Sequence, residues 1–439
     1  METDKTITAP ELLAPAGNLE KLKIAFEYGA DAVYIGGEEF SLRVAADNFT
    51  NDEIKQGIDF AKKLNKKVYL TANVIPHNND IDEYAKFLTE VRDIGLDAVI
   101  LSDLGMFGVT KEIAPELDIH ISTQANNVNY KSADMWYNMG AKRVILAREM
   151  SLAEISQIRE RTNPELELEA FVHGAMCISY SGRCLLSNYM AGRDGNGGAC
   201  AHPCRWKYYL MEEKRPGEYM PVFENERGTF IYNSKDLCMI EHIDKLIQSG
   251  LTSFKIEGRV KSEFYVATVV AAYRRAIDAY MQDPANWKPD PSLYAELKKV
   301  SHRDYTTGFY FNKPGGTEQR YGGSSYIREY DMVGVVEDYD SNTGIAKLVQ
   351  KNRFFKGDEV EFLCTDGTFF TQEIEYLTDE NGEPTDIPLD CGSYLDLAPA
   401  DRGENVRREI CLTLEKMGIQ PESSHHEEGP GQNEIDFRY

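Results

Sequence analysis

The sequence predicts an α/β fold: a (β/α)8 TIM-like barrel followed by a small antiparallel β-barrel domain. Three observations predict it. Short apolar runs alternate with stretches of helical spacing through the first 260 residues. A glycine-led segment that enters an apolar run recurs at Gly29, Gly95, Gly140 and Gly250. Beyond residue 325 the helical period gives way to short strands parted by Asp-Gly, Asn-Gly and Asn-Thr-Gly turns.

The barrel strands are taken in order. Glu11–Ala16, Ala32–Gly36, Val68–Val74, Ala98–Ser102, Ile119–Gln124, Val144–Arg148, Leu166–His173 and Ser253–Gly258 are apolar runs of strand length. Strands that read apolar throughout are buried on both faces, which means a parallel sheet covered by helices. Helical spacing fills the gaps, as at Asn18–Tyr28, Asn51–Leu64, Asp80–Ile94 and Ser151–Arg161, with Asn18, Asn51, Asp80 and Ser151 as expected caps. Each repeat glycine stands at a helix end, where a left-handed residue costs least. Eight strands before residue 260 favour a closed barrel over an open doubly wound sheet, because Ala14-Pro-Ala-Gly-Asn is no Gly-x-Gly-x-x-Gly phosphate turn. A long helix follows over Val260–Met281 and a shorter one over Leu293–Val300.

These elements divide the chain into a barrel over residues 1–315, with a cysteine-rich segment over 173–238 inserted, and a Gly/Ser linker over 316–325. A β domain then spans 326–414, with strands expected at Met332–Glu337, Ile345–Val349, Glu359–Leu363 and Phe369–Tyr376. The tail over 415–439 is acidic and is expected to be disordered.

Charge limits the partners. Lys and Arg number 48 against 72 Asp and Glu, a formal net charge of −24. A field of that sign repels nucleic acid and anionic membranes, so an anionic partner must meet a local basic patch. No apolar run reaches the roughly 18 residues of a membrane span. Met1–Pro15 lacks the order of a secretory signal, so the expected compartment is the cytoplasm, where thiols stay reduced.

Cysteine placement is the strongest chemical signal. The first 176 residues hold none, and Cys177, Cys184, Cys200, Cys204 and Cys238 then fall within 62 residues. Gly174, Gly182, Gly192, Gly195, Gly197 and Gly198 crowd the same segment and allow the backbone to wrap a compact centre. The spacing admits an iron–sulfur cluster, a zinc site, or redox and structural thiols. Cys364, Cys391 and Cys411 read as small core residues of the β domain. His425 and His426 read as part of a flexible tail.

The stretch Glu169-Ala-Phe-Val-His-Gly-Ala-Met-Cys177-Ile-Ser-Tyr-Ser-Gly-Arg-Cys184-Leu-Leu-Ser187 resembles the signature of peptidase family U32, the collagenase-like family. Asn188-Tyr-Met-Ala-Gly-Arg-Asp and Cys200-Ala-His-Pro-Cys-Arg-Trp206 resemble its tRNA-hydroxylating branch more than its ubiquinone-hydroxylating branch. Leu12-Leu-Ala-Pro-Ala-Gly, Val33-Tyr-Ile-Gly-Gly, Leu146-Ala-Arg-Glu and Lys255-Ile-Glu-Gly-Arg259 extend the resemblance over residues 11–281. It implies a four-iron four-sulfur cluster on Cys177, Cys184, Cys200 and Cys238, with Cys204 outside the ligand set. It also implies oxygen-independent hydroxylation of tRNA to 5-hydroxyuridine at the wobble position, with prephenate as the oxygen source, and a β-barrel tail domain. The partners expected are a tRNA anticodon loop, prephenate or a similar small dianion, and a related family protein.

The residues themselves are read beside that resemblance. At the C-terminal ends of the barrel strands, Arg43, Gln124, Arg148 and Arg259 are expected to bind substrate, the arginines holding a dicarboxylate by bidentate hydrogen bonds. His173 is a candidate acid or base, and Lys255 with Glu257 a candidate ion pair in the pocket. Glu169 is expected behind them. Arg183, Arg193, Arg205 and Trp206, interleaved with tyrosines, suit RNA phosphates and bases. Lys347, Lys351, Arg353 and Lys356 offer a second cationic surface. A cysteine peptidase using Cys177 with His173, or Cys200 with His202, is the competing class; the chain has no His-Glu-x-x-His or Gly-x-Ser-x-Gly. A non-catalytic binding module with a structural metal is the third.

Overall fold

The computed structural model describes residues 8–37, 40, 48–176, 184–193, 195, 199–203, 209–211, 219–221, 235–312, 327, 330–340, 345–378, 394–397 and 410–413. The expected linker over 316–325 and tail over 415–439 lie outside them.

Seven parallel strands come first: β1 (Glu11–Pro15), β2 (Ala32–Gly36), β3 (Lys67–Ala72), β4 (Ala98–Leu101), β5 (Asp118–Ile121), β6 (Arg143–Ile145) and β7 (Glu167–Ala175). Two short strands, β8 (Tyr209–Met211) and β9 (Tyr219–Pro221), pair antiparallel with each other. Next come β10 (Asp236–Cys238) and β11 (Ser253–Ile256). The barrel closes because β11 pairs parallel with both β7 and β1, so Lys255 stands opposite Phe171 on one side and Leu13 on the other. Every predicted barrel strand is present.

The helices between them are α1 (Leu19–Glu27), α2 (Asn51–Lys63), α3 (Asn78–Val91), α4 (Leu104–Ile113), α5 (Tyr130–Asn138), α6 (Leu152–Arg161), α7 (Leu186–Ala191) and α8 (Ile243–Gln248). Asn18 and Ser151 cap α1 and α6 as expected. Two caps differ. Thr50 rather than Asn51 caps α2, in a reciprocal box with Glu53. Asp80 sits inside α3 and accepts the His77 amide at 2.6 Å, because a carboxylate at the third helical position can serve the same free N–H from within. The repeat glycines have left-handed φ values of 106°, 100°, 102° and 85°. At Gly29 a Cβ would also stand 2.6 Å from Arg274 Cγ, so the position excludes side chains on two counts.

After the barrel come α9 (Glu263–Gln282) and α10 (Pro291–Leu297). β7 runs past the barrel rim and pairs antiparallel with β10, which puts Cys238 opposite His173. β12 (Tyr305–Thr306) lies on the other side of β10. The second unit is a six-stranded antiparallel sheet, made of β13 (Asp331–Asp340), β14 (Ile345–Gln350), β15 (Glu359–Leu363), β16 (Phe369–Glu373), β17 (Tyr394–Leu397) and β18 (Ile410–Thr413). Its order is β16-β15-β18-β13-β14-β17. A register shift in β13 between Met332 and Gly334 breaks strict alternation, so residues three apart share a face. Met332 and Val335 join the barrel's apolar core, and Val333 and Val336 pack with Leu348, Phe354 and Phe362 in a core of the sheet's own. Tyr28 donates to Leu363 O at 2.9 Å and Arg275 to Gly367 O at 2.9 Å across the seam.

Candidate functional site

The C-terminal end of the barrel holds a cavity of about 70 Å³. It lies where this architecture places its chemistry, because the strand ends converge there and the following loops are free to vary. β2 supplies Tyr34, and β3 with its exit supplies Thr71 and Asn73. The end of β5 gives Ser122, Thr123 and Gln124. Ile145 and Arg148 come from β6 and its exit, Phe171 from β7, and Lys255, Glu257 and Arg259 from β11 and beyond.

Five residues singled out in the sequence therefore share one wall: Gln124, Arg148, Lys255, Glu257 and Arg259. Arg148 donates to Ala175 O at 2.6 Å and lies over the Phe171 ring at 4.7 Å. Arg259 is buried and donates to Thr71 Oγ1 at 3.0 Å and Asn48 Oδ1 at 2.8 Å. Three cations thus stand on the wall against one carboxylate, Glu257.

Lys255 pairs with Glu169. Lys255 Nζ lies 3.0 Å from Glu169 Oε1 and 4.4 Å from the Tyr34 ring centre. The register between β11 and β7 slips between Lys255 and Ile256, so simple alternation does not carry from Lys255 to Glu257. Glu169, expected behind the site, is fully buried at the centre of a network. It accepts from Arg143 at 2.8 Å and from Ser253 Oγ at 3.0 Å. Arg143 also reaches Glu11 at 2.6 Å and Glu167 at 2.6 Å. Burial alone pushes the Glu169 carboxyl up, but Lys255 and Arg143 outweigh it and hold it below its usual range. Burial pushes the Lys255 ammonium down further than Glu169 lifts it. The sequence offered no sign of Arg143, Glu11 or the Tyr69–His120 contact at 4.6 Å beside them, since each read as a strand residue.

His173 is apart from the cavity lining. It is buried among Tyr265, Tyr273 and Tyr305, with ring centres 5.9, 5.6 and 5.4 Å away. Burial, reinforced by Lys261 and His302, pushes it down to about 3, so the ring is neutral at ordinary pH. It stands opposite Cys238 and is not among the residues that line the cavity, although its carbonyl accepts the Glu257 amide at 2.9 Å.

Three of the four implied cluster cysteines are described. Cys238 is buried on β10, and burial pushes its thiol up to about 12 against the hydrogen bond from the Ile240 amide. Such a sulfur becomes a thiolate only beside a positive centre. Cys200 Sγ accepts the His202 amide at 3.4 Å, a bond that suits a ligating sulfur, and Cys184 is half-buried. These donors fit a thiophilic centre. Among the described residues no three His, Cys, Asp or Glu side chains gather at one point. Cys177 lies outside the described residues, as do Arg43, Arg183, Arg205 and Trp206. Arg193 is exposed, as are Lys347, Lys351, Arg353 and Lys356 in the β domain. No described helix is long and apolar enough to cross a membrane.

The family model for peptidase family U32 matches residues 17–320, and the model for the C-terminal domain of that family matches residues 328–387. The chain is 46% identical over 377 residues to a Bacillus subtilis protein named tRNA hydroxylation protein P1, covering 86% of this chain and 89% of that one. It is 40% identical to the Escherichia coli tRNA hydroxylation protein P, covering 86% and 91%. It is 31% identical to a Porphyromonas gingivalis protein named collagenase, covering 84% and 89%. With the family model and the model of its C-terminal domain both matched in order, the chain belongs to peptidase family U32.

Proposed function

We propose that this chain is an enzyme that hydroxylates tRNA, forming 5-hydroxyuridine at the wobble position without molecular oxygen. The observation that carries the reading is the cavity at the barrel's C-terminal end, where Arg148, Arg259 and the Glu169-paired Lys255 line the wall with one carboxylate, Glu257. That balance suits a small dianion such as prephenate as oxygen donor. The names of the relatives that match across most of the chain supply the substrate class. A four-iron four-sulfur cluster on Cys177, Cys184, Cys200 and Cys238, when bound, would supply Lewis-acid or one-electron chemistry.

The chain's own residues do the rest. The arginines and Lys255 bind and orient the dianion, with Arg43 joining from the neighbouring loop and Gln124 fixing its register. Tyr34 and Phe171 wall the Lys255 ammonium from water. Glu257 is the ionisable group placed to move a proton at the cavity. Arg183, Arg193, Arg205 and Trp206 beside the cysteines receive the anticodon loop, and the β domain adds Lys351, Arg353 and Lys356 around the exposed Phe355. A related family protein is the expected partner, and the work is done in the cytoplasm, where tRNA is.

Among the described residues the cavity wall holds no cysteine or histidine, the pair that a cysteine peptidase needs. The deciding experiment is nucleoside mass spectrometry of tRNA from a strain lacking this gene and any redundant one. Loss of wobble 5-hydroxyuridine, restored by the wild-type gene and not by Arg148→Met, is expected. Unchanged hydroxylation removes the assignment.

A further inference from the structure

The cavity wall carries a second kind of valence that a plain dianion would leave unused. Thr71 spends its hydroxyl hydrogen on Ile35 O at 2.8 Å, and Thr123 spends its own on Leu146 O at 3.1 Å. Ser122 Oγ accepts from Asn73 Nδ2 and from the Gln124 backbone N–H, each at 3.2 Å, which fixes the Asn73 side chain beside the backbone of Gln124. Asn73 Oδ1 and Gln124 Oε1 are buried there, and among the described residues neither accepts a hydrogen bond. Arg148 Nε is likewise a buried donor with no acceptor among the described residues. The wall thus presents both cationic donors and neutral acceptors.

Carboxylates satisfy the cations but have no hydrogen to give the two amide oxygens. Leaving buried acceptors unpaired is costly, so a ligand that lacks a donor is rejected. The donor on the ligand is not an ammonium, because Arg148, Lys255 and Arg259 line the same wall. A neutral hydroxyl meets both demands.

We infer that Asn73 and Gln124 are specificity-determining residues that accept a hydrogen bond from a hydroxyl group on the anionic ligand, so that the site takes hydroxylated dicarboxylates in preference to plain ones. The inference rests on the dianion reading of the cavity. The test is calorimetric titration of the intact protein with malate and with succinate, which differ by one hydroxyl. Malate is expected to bind at least about tenfold more tightly. Asn73→Ser and Gln124→Met, each checked for an unchanged melting temperature, are expected to bring the two ligands together by weakening malate more than succinate. Equal binding of malate and succinate by the wild type overturns the inference and leaves the dianion reading standing. Discrimination that survives in both variants also overturns it. Binding of neither acid overturns the dianion reading, and the inference falls with it.

Discussion

Lys255 is paired with Glu169 at 3.0 Å, and Glu169 is shared with Arg143 at 2.8 Å. One buried carboxylate therefore holds two buried cations of the barrel interior. Removing one partner of a buried pair leaves the other charge uncompensated, at about 3–5 kcal/mol. Glu169→Gln strips the shared anion from both cations and is expected to fall in that range. Lys255→Met leaves Glu169 still neutralised by Arg143, so its cost is expected to be smaller, though it abolishes ligand binding. Denaturant unfolding of the two variants checks the ranking; an equal or larger loss for Lys255→Met would show that Arg143 does not hold Glu169.

Acid stability is expected to depend on His120. It is buried on β5, and burial, followed by the nearby cations Arg143, Lys255, Lys67 and Lys142, pushes its ring well below its ordinary value. The unfolded chain then binds a proton that the folded chain refuses. The stabilising effect is complete above about pH 6.5 and is lost progressively as the pH falls below it. The slope that one such proton sets is about 1.4 kcal/mol per pH unit. His120→Phe, which keeps a ring against Tyr69, is expected to flatten the stability curve on that limb by up to this amount. An unchanged slope between pH 6.5 and 5 would mean that the ring takes up its proton in the folded chain.

The barrel was legible because parallel strands are buried on both faces. Runs such as Ala32–Gly36 and Ala98–Leu101 have no polar residue to confuse the reading. The repeat glycines marked helix ends because the left-handed backbone there tolerates little else. The cationic wall was legible in part, since Arg148 and Arg259 follow strand ends and Lys255 lies near the end of β11. What pairs with Lys255 was not. Glu169 comes from another strand, and its nearness depends on barrel closure and on the register slip after Lys255. Asn73, Ser122 and Thr123 gave no signal either, because their function lies in which hydrogens the fold has already spent. His173 has the residue type of an acid or base but occupies an aromatic cage, which spacing cannot reveal.

RNA binding is expected to be carried by local charge against an acidic whole. Lys351, Arg353 and Lys356 are exposed, and Phe355 beside them is 44% exposed. Each phosphate contact releases counterions and contributes about 0.7–0.9 to the slope of log affinity against log salt. Replacing the three cations by alanine is expected to weaken tRNA binding at low salt and to flatten that slope by about 2–3 units. Phe355→Ala is expected to weaken binding with the slope unchanged, because stacking is not electrostatic. Fluorescence titrations at several salt concentrations distinguish the two effects. An unaltered slope in the triple variant would move the RNA surface off the β domain.

Cys238 offers the sharpest test of the cluster. Its thiol is buried and pushed up to about 12, so it stays protonated unless a positive centre takes the proton's place. Cys364 is also buried, but it lies in the β domain, where its amide pairs with Thr368 O. The two thiols are alike in burial and differ in neighbourhood, which makes Cys364 the proper control. Anaerobically purified wild-type protein is expected to hold about four irons per chain and to be brown. Cys238→Ser is expected to lose iron and colour together, while Cys364→Ser keeps both. Retention of a full iron load by Cys238→Ser would place the ligand set elsewhere in the cysteine-rich segment. Loss of iron from Cys364→Ser as well would point to a general loss of fold, which the melting temperature of that variant reveals.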